Sequence, residues 1–245
     1  MSKPFDWITP DWPAPKRVKA CVTTRSGGQS LGAFAHFNLG DRVGDLADAV
    51  RANREQLAQL LQCQPAFLHQ VHGTHIVTAN PDNCPQGDGS WTQSPKIACT
   101  VLTADCLPIL FCDKAASRVA AAHAGWRGLA GGILEQTVQT LAVPAKELLA
   151  WLGPCIGPKA FEVGEEVRAA FIQHQPEAKA AFVPTQQNGK YLADLYQLAR
   201  LRLAACGVIN LYGGGFCTFS DKARFYSYRR ENPTGRMASL IWLDD

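Results

Sequence analysis

The sequence predicts a single α+β domain, with a mixed β-sheet core flanked by helices. Short apolar runs bounded by turn residues recur along it, as in "KIACTVLT", "ILFC", "VAAAHAG", "LLAWLG" and "ASLIWL". Segments of helical period lie between and around them. The chain has 245 residues, and no repeat, linker or low-complexity stretch divides it.

Val18 to Thr24 has strand character and "RSGGQS" breaks it as a turn. Asp45 to Gln62 reads as a helix with Leu46, Val50, Leu57 and Leu60/Leu61 on the inner face. Phe67 to His72 and His75 to Ala79 are short strands split by Gly73, and "NPDNCPQGDGS" is loop. Three strands follow in "KIACTVLT", "ILFC" and "VAAAHAG". Leu129 to Leu141 is a helix with Ile133, Leu134, Val138 and Leu141 inward. Gly164 to His174 and Asp194 to Cys206 are further helices, the second capped by Asp194 and ended by Gly207. "RFYSY" is strand-like, between the loops "YGGGFCT" and "RRENPTGR".

The apolar fraction of 47% against 18% charged residues is that of a globular chain, so neither metal nor disulfide is required for folding. The net charge of +3 gives no ground for nucleic acid or a membrane surface as partner. "MSKPFDWITPDWPAPKRVKA" has no apolar signal core, and residues 1–17 read as an N-terminal extension of a domain spanning 1–245. Nine cysteines without a paired spacing read as reduced thiols, which predicts a cytoplasmic protein.

"LHQVHGTH" holds three of the six histidines: His69, His72 and His75. In an extended chain, positions 69 and 75 share a face and 72 lies on the other. His72 before Gly73, Cys106 after "KIACTVLT" and His123 near the end of "VAAAHAG" all stand close to the ends of apolar runs. If neighbouring strands carry those runs, the three side chains converge at one rim. Cys, His and His make three zinc ligands and leave a fourth position open. The spacing matches no zinc finger. Each histidine also reads as a packed or surface imidazole, and Cys106 as a buried thiol. Arginine suits phosphate because its fork donates two parallel hydrogen bonds. Arg127 in "GWRG" and Arg229, Arg230 and Arg236 in "SYRRENPTGR" are the candidates; surface ion pairing is the competing reading.

"TTRSGGQS", "FNLGDRVGD", "HQVHGT", "LTADCLPILF", "AAHAGWRG", "GPCIG…FEVGEEV" and "FYSYRRENPTGRMASL" occur in that order. Together they resemble the YfiH/laccase-domain-containing family, labelled multicopper polyphenol oxidases and otherwise purine nucleoside phosphorylases. The resemblance implies an α+β fold related to a toxin domain with a Cys-His site, and a zinc centre of His72, Cys106 and His123. It also implies phosphorolysis of adenosine, inosine, guanosine and methylthioadenosine, with deamination of adenosine. Purine nucleosides and phosphate are then the partners. Candidate substrate or phosphate contacts are Arg127, Arg236 and Asn38 of "FNLGDRVGD". Cys106, His123 and Asp105 are the catalytic candidates, Asp105 as general acid or, alternatively, as a turn-forming carboxylate. "GDGS" and Cys155 depart from the family pattern. The H-x-E…P-C-x-x-C signature of zinc nucleobase deaminases is absent from the sequence.

Three alternatives stand beside this reading. Copper with phenol oxidase activity suits a Cys-His-His set, but six histidines are too few for a multicopper laccase. Cys106 with His123 as base would make a cysteine hydrolase. A binding protein without turnover is the last.

Overall fold

The computed structural model describes residues 5–245. Along the chain run β1 (Val18–Val22), α1 (Ala47–Leu61), β2 (Gln64–Ala66), β3 (Ile76–Thr78), β4 (Gly89–Thr92), β5 (Ile97–Thr103), β6 (Leu107–Asp113) and β7 (Val119–Ala124). There follow α2 (Trp126–Gly131), α3 (Ile133–Leu141), β8 (Leu148–Leu152), β9 (Glu162–Gly164), α4 (Glu165–Ile172), β10 (Phe182–Pro184), β11 (Lys190–Ala193), α5 (Leu195–Ala205), β12 (Asn210–Gly213) and β13 (Met237–Leu243). This is the expected α+β domain with mixed sheets and flanking helices.

Strand alternation explains how the layers stack. A strand buried on both faces presents every second residue to each neighbour. In β6, Leu107, Ile109 and Phe111 pack against α3, α4 and α5, together with Ala120, Ala122 and Ala124 of β7. Leu110 and Cys112 face the other way, onto Val18, Val22, Cys99, Val101, Ile241 and Leu243. Those six belong to a second sheet, ordered β1-β13-β5-β2, which lies face to face with the six-stranded sheet β12-β8-β6-β7-β4-β3. The outer face of the four-stranded sheet meets Leu57 of α1 with Phe37 and Leu39. The order is helix, sheet, sheet, helices. Ala-rich β7 lets the central layers approach closely. Five of the nine cysteines are buried, consistent with small packed hydrophobes.

Several expectations change. Leu46 and Leu60 are not inward; they are 73% and 49% exposed. The inner face of α1 instead contains Asn53, fully buried. Its amide accepts from the Gln29 N–H at 2.9 Å and donates to Ser30 Oγ and the Asn38 carbonyl at 3.0 and 2.8 Å. Hydrogen bonding to neighbouring loops therefore overrides the apolar pattern. The helix read over Leu129–Leu141 is two helices, parted at Gly132, whose φ of +101° suits glycine. "RFYSY" is irregular, between two turns, rather than strand, with Phe225 and Tyr226 fully buried. The extended stretch before His72 is not a strand; β2 ends at Ala66. The small sheet β10-β11-β9 lies where no strand was predicted. Within the N-terminal extension, Ile8 forms a two-bond bridge to Val22 and Phe5 packs edge-on to Phe37 at 4.9 Å. Residues 1–4 of that extension lie outside the described residues.

Asn53→Ala should lower stability by about 1–3 kcal/mol, because it leaves buried partners unsatisfied. Denaturant unfolding reads this as a lower midpoint at constant slope. An unchanged midpoint would show that these hydrogen bonds do not hold α1.

Candidate metal centre

Cys106 and His123 meet because β6 and β7 pair antiparallel. The register sets Leu107 opposite Ala124 and Pro108 opposite His123, so the residue before β6 lies beside the end of β7. His72 comes from a turn, with φ at +61°, which reverses the chain before Gly73. The ligand atoms of His72, Cys106 and His123 all lie within 4.8 Å of one another. Cys106 Sγ is 3.9 Å from His72 Nε2, and the two imidazoles pack edge to face at 4.8 Å. No other group of three such residues was found among the described residues.

Gly125 shows why the corner is open. A Cβ there would meet His72 Cδ2 at 2.9 Å, Cys106 Sγ at 3.1 Å and His123 Cε1 at 3.7 Å. Glycine thus leaves free the cradle onto which all three ligands border. One sulfur and two imidazole nitrogens suit a zinc ion, whose bonds of about 2.0–2.3 Å require the donors to close in only slightly. The residues present fit the metal. His69 and His75 take no part in the triad. The His75 ring faces the Gln86 carbonyl, and His69 bonds through its backbone to Pro85 and Gly87.

The electrostatics are tightly linked. Burial opposes a Cys106 thiolate, yet the charge and hydrogen bonding of His123, aided by His72, bring the thiol down to about 6. Burial likewise opposes a charged His123, but Cys106 and Asp88 raise it to about 9. Without metal, the two shifts favour a thiolate beside an imidazolium. Asp88, fully buried, accepts from His123 Nδ1 at 2.8 Å. Asp88 stands in "GDGS", a stretch the sequence marks only as loop and as a departure from the family pattern. Its only signal was a carboxylate between two glycines at the start of a strand.

The triad opens into a cavity of about 540 Å³. Leu68, Ile156, Phe161 and Tyr228 line it, as do Arg42, Arg229 and Arg236. Arg236 is half-buried, and burial lowers its pKa against the opposing pull of Cys106 and Asp105. Its guanidinium lies 5.9 Å over the Tyr228 ring, and among the described residues only Nη1 is hydrogen-bonded, to the carbonyls of Thr234 and Gly235 at 2.9 and 3.0 Å.

Three other candidates stand differently. Asp105 lines the cavity, but its carboxylate accepts from Thr218 Oγ1 at 2.6 Å, Ser227 Oγ at 3.0 Å and the Arg229 N–H at 2.7 Å. A group that accepts three hydrogen bonds is an anchor, and the proton an acid needs would break one of them. Arg127 is exposed on α2, with its guanidinium 4.3 Å over the Trp126 ring, and does not line the cavity. Asn38 is fully buried, spans Gly40, Asp45 and the Arg236 N–H, and is not among the residues that line the cavity.

The sequence matches the family described as Multi-copper polyphenol oxidoreductase laccase over residues 19–244. The chain belongs to this laccase-like family. A Pseudomonas aeruginosa relative, named a purine nucleoside phosphorylase, is 60% identical over 98% of this chain and 99% of its own. Escherichia coli YfiH, also named a purine nucleoside phosphorylase, is 52% identical over 96% of this chain and 98% of its own. The crystal structure of Neisseria meningitidis protein NMB0706 superposes with a TM-score of 0.95 at 52% identity, covering 98% of this chain and 99% of that one. The laccase-like family thus accounts for the whole fold. No helix of the described residues is long and apolar enough to cross a membrane.

In metal-stripped protein, iodoacetamide should alkylate Cys106 readily at pH 7. The rate should fall as pH drops through about 6, since the lowered pKa keeps the thiolate present above that value and lost below it. Added zinc should protect the residue. Peptide mapping separates Cys106 from the exposed Cys84; equal labelling with and without zinc would remove Cys106 from the ligand set.

Proposed function

We propose that this chain is a zinc-dependent purine nucleoside phosphorylase that also deaminates adenosine. Its substrates are adenosine, inosine, guanosine and methylthioadenosine. The observation that carries the reading is a Cys-His-His corner in the same cavity as three arginines, Arg42, Arg229 and Arg236. The names of the Pseudomonas and Escherichia relatives support its phosphorylase part.

Phosphorolysis joins a phosphate oxygen to C1′ of the ribose and breaks the bond from C1′ to the purine nitrogen. The electron pair leaves with the purine, which then takes a proton. Two anionic groups therefore need support: phosphate on entry and purine on departure. Arg236 and Arg229, both candidates from the sequence, supply forked donors for phosphate, while Arg127 lies outside the cavity. Phe161 and Tyr228 offer aromatic surface for the base. A metal held by His72, Cys106 and His123 would supply a Lewis acid at that corner of the cavity. In deamination, water adds at C6 and ammonia leaves, at the same corner of the cavity. His123 holds its proton on Nδ1 against Asp88, which leaves Nε2 to face the cavity's chemistry.

Zinc is favoured over copper on the donor count. A multicopper laccase needs several coppers, and the described residues offer one group of three ligands. Cys106 as a nucleophile without metal would need a set of hydrogen-bond donors for an oxyanion, and the Asp105 carboxylate beside it is an acceptor only.

Adenosine with phosphate should yield adenine and ribose 1-phosphate, and adenosine in water should yield inosine and ammonia, by chromatography of the purified protein. His123→Ala should abolish both along with zinc content. Arg236→Ala should raise the KM for phosphate by about ten- to a hundredfold, the loss of a charged hydrogen-bonding pair, with a smaller effect on deamination. Oxygen-dependent phenol oxidation without nucleoside turnover would overturn the reading.

A further inference from the structure

Asp88 lies in the turn before β4 and is fully buried. Its carboxylate makes four hydrogen bonds. Oδ1 accepts from the His72 N–H at 2.9 Å and from His123 Nδ1 at 2.8 Å. Oδ2 accepts from the N–H groups of Val71 and Gly73 at 3.1 and 2.7 Å. Its backbone closes the circuit: the Asp88 N–H donates to the His75 carbonyl at 3.0 Å, and the Asp88 carbonyl accepts from the His123 N–H at 2.7 Å.

We propose that Asp88 is the positioning residue of the metal centre, a single buried carboxylate that sets both histidine ligands at once. The inference rests on the reading of the triad as a metal site. Three successive N–H groups of residues 71–73 converge on one anion, the backbone arrangement that binds anionic groups. That grip stabilises His72 in a left-handed conformation, which a non-glycine residue seldom adopts unaided. The other oxygen holds His123 in one tautomer. With the proton on Nδ1, the lone pair of Nε2 is left for a metal. The charges also match, since one thiolate and one carboxylate balance a divalent ion.

A structural carboxylate elsewhere in the chain provides the control. Asp113, equally buried, accepts from the Ser117 N–H and hydroxyl and from the Arg118 N–H at 2.7, 2.6 and 3.0 Å, far from the triad in the fold. The full-length chain, Asp88→Asn and Asp113→Asn are compared for zinc affinity by competition with a chromophoric chelator, for the ligand-field spectrum with cobalt, and for thermal midpoint. Both variants should lose thermal stability. Only Asp88→Asn should bind zinc about 10–100-fold more weakly and alter the cobalt spectrum. Zinc affinity and cobalt spectrum unchanged in folded Asp88→Asn would overturn the proposal.

A wild-type chain that takes up no zinc would instead overturn the metal reading itself. Should Asp88→Asn fail to fold, nitrogen-15 spectra of histidine in the zinc-loaded wild type decide the matter. His123 protonated at Nδ1 supports the assignment; protonation at Nε2 overturns it.

Discussion

The antiparallel register of β6 with β7 is the constraint on which the centre depends. It brings Cys106, just outside one strand, level with His123 near the end of the next. The pairing of β4 with β7 extends the same logic. Gly89 lies opposite Ala122, so Asp88 arrives beside His123. Gly89 itself has no room for a side chain: a Cβ would lie 2.5 Å from Ile76 and 3.0 Å from the Ala121 carbonyl. Three of the four groups at the centre are therefore fixed by sheet hydrogen bonds. His72 alone arrives on a turn, and that turn is tied to the sheet through the Asp88 carboxylate.

Such a cluster would be costly if its members were separate. A thiolate, an imidazolium and a carboxylate out of water each lose hydration worth several kcal/mol. Here each charge faces an opposite one, and the carboxylate oxygens are filled by N–H donors. The lowered Cys106 and raised His123 are two views of the same pairing. The surrounding packing keeps the geometry stiff. A Cβ on Gly128 would come within 2.7 Å of the Gly73 carbonyl, so α2 rests directly on the turn that carries His72.

Much of this was legible in the sequence where a rule of period two or of chain punctuation applied. Apolar runs gave β5, β6, β7, β8 and β13, and Asp194 caps α5 as expected, accepting from the Gln197 N–H at 3.1 Å. The three ligand types at the ends of runs suggested convergence, although the motif resemblance rather than spacing singled out His72. What escaped was set by partners distant in the chain. Asn53 is inside because loops at residues 29–38 need its amide, and Arg127 is outside because the first turn of α2 directs it over Trp126. Asp88 has four carboxylate bonds, none predictable from its neighbours in sequence.

The dipeptide Asp105-Cys106 joins the two walls of the cavity. Cys106 faces the metal corner. Asp105, with φ at +90°, turns its carboxylate the other way, onto Thr218, Ser227 and the Arg229 backbone. The segment it grips leads from Tyr226 through Arg229 toward Arg236, which Asn38 then anchors by its backbone. A shift of the thiol would accordingly carry the arginine wall with it. For a reaction between a base-bearing sugar and a separate anion, that linkage has a use. It fixes the distance between the metal corner and the anion donors by covalent chain and buried hydrogen bonds rather than by surface side chains, so the two reactants meet in one orientation.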